Sequence, residues 1–239
     1  MKRILLLAVG LTVASLVLAS CGGNGDGGAS PAASSINPAD FQPKVDNRFY
    51  PLSSLAPFVY EGEEQDPDTG KAVKTRVESK VLAKTDRLAG IEVTVVEDKV
   101  YKDGELVEST LDYFAQHRDG SVYYFGERVD DYEGGKVVGH KGQWLAGEGK
   151  NLPGVFMPAQ PALGQAFEQE KAPGIAEDTS RIVAVDQSVS TAAGSFNSCV
   201  KTEDFSPLDN TTEYKYYCPG VGVVREEFPE GHLDLISYK

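Results

Sequence analysis

Three turn dipeptides, Asp103-Gly104, Asp119-Gly120 and Gly134-Gly135, fall about 15–16 residues apart. Each is a strong hairpin signal. The runs around them, Ile91 to Tyr101, Leu106 to Gln116, Val122 to Tyr132 and Val137 to Leu145, are rich in β-favouring side chains. The spacing therefore predicts strands of about 10–12 residues. Upstream, Ala72 to Leu82 alternates: Val73, Thr75, Val77, Ser79 and Val81 share one face, and Lys74, Arg76, Glu78 and Lys80 the other. A period of two marks a half-buried strand. Phe58 to Glu64 would pair with it through the turn-rich Asp66 to Lys71. Strands this long twist and coil. The expected fold is all-β: a long-stranded antiparallel meander forming a strongly curved sheet, half-barrel or barrel.

Further strands are expected at Gln165 to Lys171, Ser180 to Ser190, Phe196 to Phe205, Thr212 to Cys218, Gly222 to Phe228 and His232 to Tyr238. From these candidates ten or eleven strands are expected, with Gly147 to Gly164 as a long Pro-containing loop. No polar linker interrupts residues 41–239, which read as a single β domain. Pro38 to Pro57 reads as an extended segment packed onto it.

The chain begins differently. Lys2 and Arg3 precede an uncharged apolar run from Ile4 to Ser20, the pattern of a secretory leader. Leu18-Ala19-Ser20-Cys21 then resembles the lipobox of bacterial lipoproteins. The resemblance implies cleavage before Cys21 and a diacylglyceryl group on its thiol. The alternative is an uncleaved N-terminal anchor with a chance Cys. Residues 1–20 are thus read as a lipoprotein signal peptide. Residues 21–40 are read as the lipidated Cys and a flexible Gly/Ser/Pro linker. Multiple acyl chains on one residue anchor stably where one binds only reversibly. The expected localisation is the cell envelope, membrane-anchored and facing the periplasm or exterior. Gly22 after the Cys favours the outer membrane where two membranes exist.

Charge narrows the partners. With 23 basic and 36 acidic residues the net charge is −13, and losing Lys2 and Arg3 with the leader makes it −15. An acidic chain lacks the basic face that phosphate binding needs, so no nucleic-acid partner is expected. Attachment to the membrane is expected through the N-terminal lipid.

Three cysteines leave Cys199 and Cys218 once Cys21 is committed. Export places both in an oxidising compartment. A symmetric hairpin over Ser206 to Thr211, centred between Leu208 and Asp209, sets them directly opposite each other. That spacing is compatible with a cross-strand disulfide.

No catalytic motif is evident. The three His (His117, His140, His232) lack a second His at ligand spacing, and each reads as a surface residue. The pairs Glu97-Asp98, Asp130-Asp131, Glu203-Asp204 and Glu226-Glu227 point to opposite faces, and read as solvated strand edges rather than catalytic couples. Asp66 to Gly70 superficially resembles the start of a calcium loop but lacks its closing Glu. No metal and no cofactor is expected, and the chain reads as non-enzymatic. Aromatic runs on the strands put rings on both sheet faces. They suggest Tyr124, Trp144, Phe156, Met157 and Tyr216 as contacts for an apolar ligand. The alternative is a sheet with both faces simply packed.

The segments Asp46-Asn47-Arg48-Phe49-Tyr50-Pro51-Leu52, Val122-Tyr123-Tyr124-Phe125-Gly126-Glu127 and Pro219-Gly220-Val221-Gly222-Val223-Val224, among others, resemble a group of uncharacterised secreted bacterial β-proteins. No activity follows from that resemblance. Two functions are expected: a carrier or binding module for an apolar ligand, or an envelope interaction protein with a solid core and a protein or polysaccharide partner.

Overall fold

The computed structural model describes residues 36–52, 56–66 and 69–238. The leader, Cys21 and the linker through residue 35 lie outside the described residues. The long strands form where the turn spacing places them. They are β1 (Phe58–Gln65), β2 (Ala72–Leu88), β3 (Ile91–Lys102), β4 (Glu105–His117) and β5 (Val122–Glu133). Next come β6 (Leu152–Met157), β7 (Ala166–Glu168), β8 (Glu170–Lys171), β9 (Thr179–Thr191), β10 (Gly194–Ser206), β11 (Thr211–Cys218), β12 (Gly222–Phe228) and β13 (Gly231–Ser237). The strands flanking the Asp-Gly turns, β3, β4 and β5, have 12, 13 and 12 residues.

Two differences from the sequence reading matter. Strand β6 lies inside the supposed loop 147–164. The run Val137 to Leu145 divides into Lys136–Gly139 and Trp144–Leu145, both paired with β5.

Thirteen strands form one antiparallel sheet in the order β7-β9-β10-β11-β12-β13-β1-β2-β3-β4-β5-β6-β8. The last strand, β13, pairs with β1, so the C-terminal meander continues directly into the N-terminal one. The sheet curls into a nearly closed barrel with one unsealed seam. Its two terminal strands are consecutive in the chain: β7 pairs with β9, β8 pairs with β6, and Gln169 alone separates them. The Gln169 and Glu170 amides both donate to the Asp178 carbonyl. Gly154 on β6 permits this crossing, because a Cβ there would lie 2.2 Å from the Gln169 carbonyl oxygen. Alongside the seam, β9 is irregular, with three register shifts against β10 and Asp186 at φ 52°.

The segment Pro38–Asp40 is a 3-10 turn, and Phe41–Gln42 pairs with the end of β4. Beyond it the chain lies across the barrel, burying Val45, Phe49 and Tyr50. Gln116 holds this strap: its Oε1 accepts from the Asp46 and Asn47 amides at 2.8 and 2.9 Å.

Alternation sorts the two faces of the wall. On β2, Thr75, Val77 and Val81 are buried while Lys74 and Lys80 are exposed. The outward rows are ion-paired: Arg225 grips Asp234 through two bonds of 2.6 and 2.7 Å, and Lys201 meets Glu227 at 2.9 Å. Among the described residues, no helix is long and apolar enough to cross a membrane.

The β10–β11 hairpin has the symmetric register expected of it, from Val200 opposite Tyr217 to Ser206 opposite Thr211. One step further, Cys199 and Cys218 form a disulfide across a Cα–Cα distance of 4.2 Å. The bond closes a sequence separation of 19 residues. Replacing both cysteines by Ser is expected to cost about 3 kcal/mol in urea unfolding, from the unfolded-chain entropy that the link removes. A loss below about 1 kcal/mol would mean that the hairpin supplies that order without the crosslink.

Candidate functional site

The barrel interior divides into an aromatic body and a set of buried charges. Tyr124 stacks on Phe114 at 5.1 Å and meets Trp144 edge-on at 5.6 Å. Phe156 joins Tyr50 at 4.5 Å and Phe114 at 5.1 Å, and Met157 is buried in the same core. Rings in such tilted and edge-to-face contacts fill space as a core does. Gly126, at φ 103°, makes room for Trp144, whose carbonyl oxygen would lie 2.2 Å from a Cβ there.

The structure therefore brings four of the five aromatic and sulfur candidates (Tyr124, Trp144, Phe156, Met157) into one packed cluster. Tyr216 is elsewhere. It projects from the outer wall, where its hydroxyl lies 3.3 Å from a Glu227 oxygen and the Lys201 ammonium sits 4.7 Å over its ring. Its neighbour Tyr217 is the ring that points inward, 6.2 Å from Phe156.

The carboxylate pairs read as solvated edges are corrected in three cases. Asp98, Asp204 and Glu226 are buried, and their partners Glu97, Glu203 and Glu227 face outward in ion pairs. Lys215 is opposite Thr202 on one side and Glu226 on the other. Its ammonium lies 3.2 Å from Asp204, 3.8 Å from Glu226 and 3.9 Å from Glu213, and the side chain is 2% exposed. Burial opposes the charge on Lys215, but Asp204 and Glu226 overcome it and hold its pKa well above the usual value. The carboxyls respond oppositely. Burial pushes Glu226 up to about 7 against the pull of Lys215, and Asp178 up to about 7 against the Ser206 hydroxyl. Burial also raises Asp112 and Glu170. Asp112 accepts a 2.6 Å hydrogen bond from the Tyr124 hydroxyl. The interior thus holds several carboxyls that burial shifts toward the protonated form and one firmly paired cation.

A small, partly open pocket of about 40 Å³ lies between the strap and the barrel wall. Tyr50, Pro51 and Leu52 of the strap, Phe58 and Tyr60 of β1, Val81 of β2, Val96 of β3 and Val223 of β12 line it. Asp98 and Ser79, opposite each other in register, supply its polar groups. Asp98 is 3% exposed, and both of its carboxyl oxygens are buried. The Ser79 hydroxyl opposite it favours the ionised form as a hydrogen-bond donor. Burial dominates and raises Asp98 to about 7. The Tyr60 hydroxyl is committed elsewhere, donating to the Val223 carbonyl at 3.1 Å.

The outer wall carries a larger, open groove of about 780 Å³, with Glu61, Glu63, Lys74, Arg76, Tyr101 and His232 along it. His117 and His140 lie beside Asp119 and Asp130, at 3.1 and 3.0 Å. Among the described residues no group of His, Cys, Asp and Glu is arranged to hold a metal. Asp66 closes a turn, its Oδ1 accepting from the Thr69 amide at 2.7 Å and hydroxyl at 2.6 Å.

The chain matches no family model, no curated protein and no solved structure.

Proposed function

We propose that the chain is a lipid-anchored extracytoplasmic binding module without catalytic activity, holding a ligand with an apolar body at the mouth of its barrel. The observation that carries this reading is the pocket beneath the strap. Aromatic and aliphatic side chains wall it, and Ser79 and Asp98 are its polar residues. Apolar walls with a few convergent polar groups are the usual make-up of a small-molecule site, and a volume of about 40 Å³ admits the end of such a ligand rather than its whole body. The aromatic cluster behind it supplies a rigid support. In this reading, lipid on Cys21 holds the domain at the cell envelope, and residues 22–37 are its tether.

Purification of the full chain from membranes in detergent tests both halves. We expect native mass spectrometry to detect a co-purifying organic molecule, absent from a folded Val96→Phe variant that fills the pocket. We also expect Cys21→Ala to move the protein out of the membrane fraction. An empty wild-type protein would count against the carrier reading, and a membrane-bound Cys21→Ala protein against the anchor.

The open groove favours a second reading, an envelope interaction protein. Tyr101 with the charged side chains around it suits a polysaccharide or an extended peptide. In that case Tyr101→Ala abolishes capture of the partner while the pocket-filling variant retains it.

A further inference from the structure

We propose that a separate pocket beside the seam takes a free α-amino acid with an apolar side chain, its carboxylate on Arg48 and its ammonium on Asp186. The pocket measures about 520 Å³ and opens to solvent. It shares no lining residue with the pocket beneath the strap. Three parts of the chain wall it: Arg48 and Phe49 of the strap, residues 159–161 after β6, and a stretch of β9 and β10. Its size is that of an ordinary small-molecule site.

The wall strands lose their register at this point. Ala184 pairs with Lys201 and Gln187 with Cys199, so Val185 and Asp186 stand out of the ladder between them. Across from them Ser198 is passed over in the same way, between Cys199 and Phe196. Asp186 and Ser198 both take left-handed backbones, at φ 52° and 56°. Bulges re-aim side chains and are frequent beside functional sites. The Cys199–Cys218 disulfide fixes β10 next to Ser198. On the strap, the Gly220 amide donates to the Arg48 carbonyl at 2.7 Å, and the Arg48 guanidinium lies 5.3 Å over the Phe49 ring.

Charge then selects the ligand. Arg48 and Asp186 are exposed, and neither side chain forms an ion pair or hydrogen bond with any described residue. On the outer wall, by contrast, Arg76, Arg118, Arg181 and Arg225 each meet a carboxylate. The seam pocket therefore presents one open cation and one open anion from separate elements. A ligand carrying only a carboxylate meets repulsion from Asp186, and one carrying only an ammonium meets repulsion from Arg48. A zwitterion satisfies both, and the planar guanidinium fork suits its carboxylate. Phe49, Pro161 and Val185 supply apolar surface for the side chain, and Val185 is 36% exposed. Covering that surface adds hydrophobic affinity.

Calorimetric titration of the full chain at pH 7 with L-leucine, N-acetyl-L-leucine and L-leucinamide tests the proposal. The second probe keeps only the carboxylate and the third only the ammonium, so they also mimic the two ends of a peptide. We expect leucine to bind at least tenfold more tightly than either. Arg48→Met should lower leucine affinity at least tenfold and leave leucinamide binding no weaker. Asp186→Asn keeps a residue that tolerates the left-handed backbone. It should lower leucine affinity by a similar factor and raise that of N-acetyl-leucine, a gain that a misfolded wall could not produce. Val96→Phe, which fills the other pocket, should bind leucine as the wild type does. Failure of leucine to bind, or binding no tighter than that of either derivative, overturns the assignment. So does undiminished leucine binding by Arg48→Met or Asp186→Asn, or its loss in a folded Val96→Phe variant.

Discussion

Replacing Lys215 by Met is expected to remove about 3–5 kcal/mol of folding free energy, the range for deleting one partner of a buried ion pair. The size follows from what the substitution leaves behind. Lys215 is 2% exposed and is the cation that Asp204 and Glu226 face, at 3.2 and 3.8 Å. Without it, either two carboxylates stay charged and buried, or both take up protons at the expense of stability. Removing the charges as well separates the alternatives. Lys215→Met combined with Asp204→Asn and Glu226→Gln should recover much of the loss, because a neutral interior of similar volume has no uncompensated ion. Urea unfolding measures both. A cost below about 1 kcal/mol for Lys215→Met alone would mean that the buried charges are already neutral, and the electrostatic account would fail.

Stability is also expected to fall as the pH rises from 5 to 8. Burial raises Asp98, Asp178 and Glu226 to about 7 in the folded chain, above the ordinary carboxyl value near 4. Between those values the native state binds more protons than the unfolded state, so the slope of unfolding free energy with pH is negative. Their contribution is fully present below about pH 4 and is lost as the pH climbs through about 7. Each unit of difference is worth about 1.4 kcal/mol per group, so the three together amount to several kcal/mol. Asp46 and Asp119 act in the opposite direction, each lowered by its surroundings, but both are exposed and screened. Thermal unfolding at constant ionic strength across this range provides the measurement. Asp178→Asn should flatten the dependence. A midpoint that climbs steadily from pH 5 to pH 8 would show that these carboxyls are ionised in the folded state.

The framework was legible because hairpin chemistry is local. The Asp-Gly turns place β3 to β5, and the Ser206–Thr211 connection fixes a register that Cys199 and Cys218 obey. Strand β6 escaped notice because Pro153, Gly154 and Pro158 interrupt its pattern: Gly154 allows the close approach of Gln169, and the Pro158 carbonyl accepts from the Asn47 side chain of the strap. The buried charges were hidden for a different reason. Alternation separates Glu97 from Asp98, but only the neighbouring strands decide which of the two looks inward. Asp98 follows Val96 and precedes Val100 on the inner face, and that placement was available as a signal. In Tyr214-Lys215-Tyr216-Tyr217 the aromatics drew attention, whereas Lys215 enters the barrel and Tyr214 and Tyr216 remain outside. Tyr217, two residues beyond Lys215, points toward the core by the same alternation.

The seam has a consequence for how copies of the protein tolerate crowding. Open sheet edges invite a strand from another molecule, and natural sheets blunt them with short edge strands and bulges. Here the terminal strands have three and two residues and are joined through Gln169, so neither offers a long ladder. The remaining edge, along β9, is broken by its three register shifts. The protein can therefore accumulate to high local density without its exposed backbone nucleating edge-to-edge aggregation.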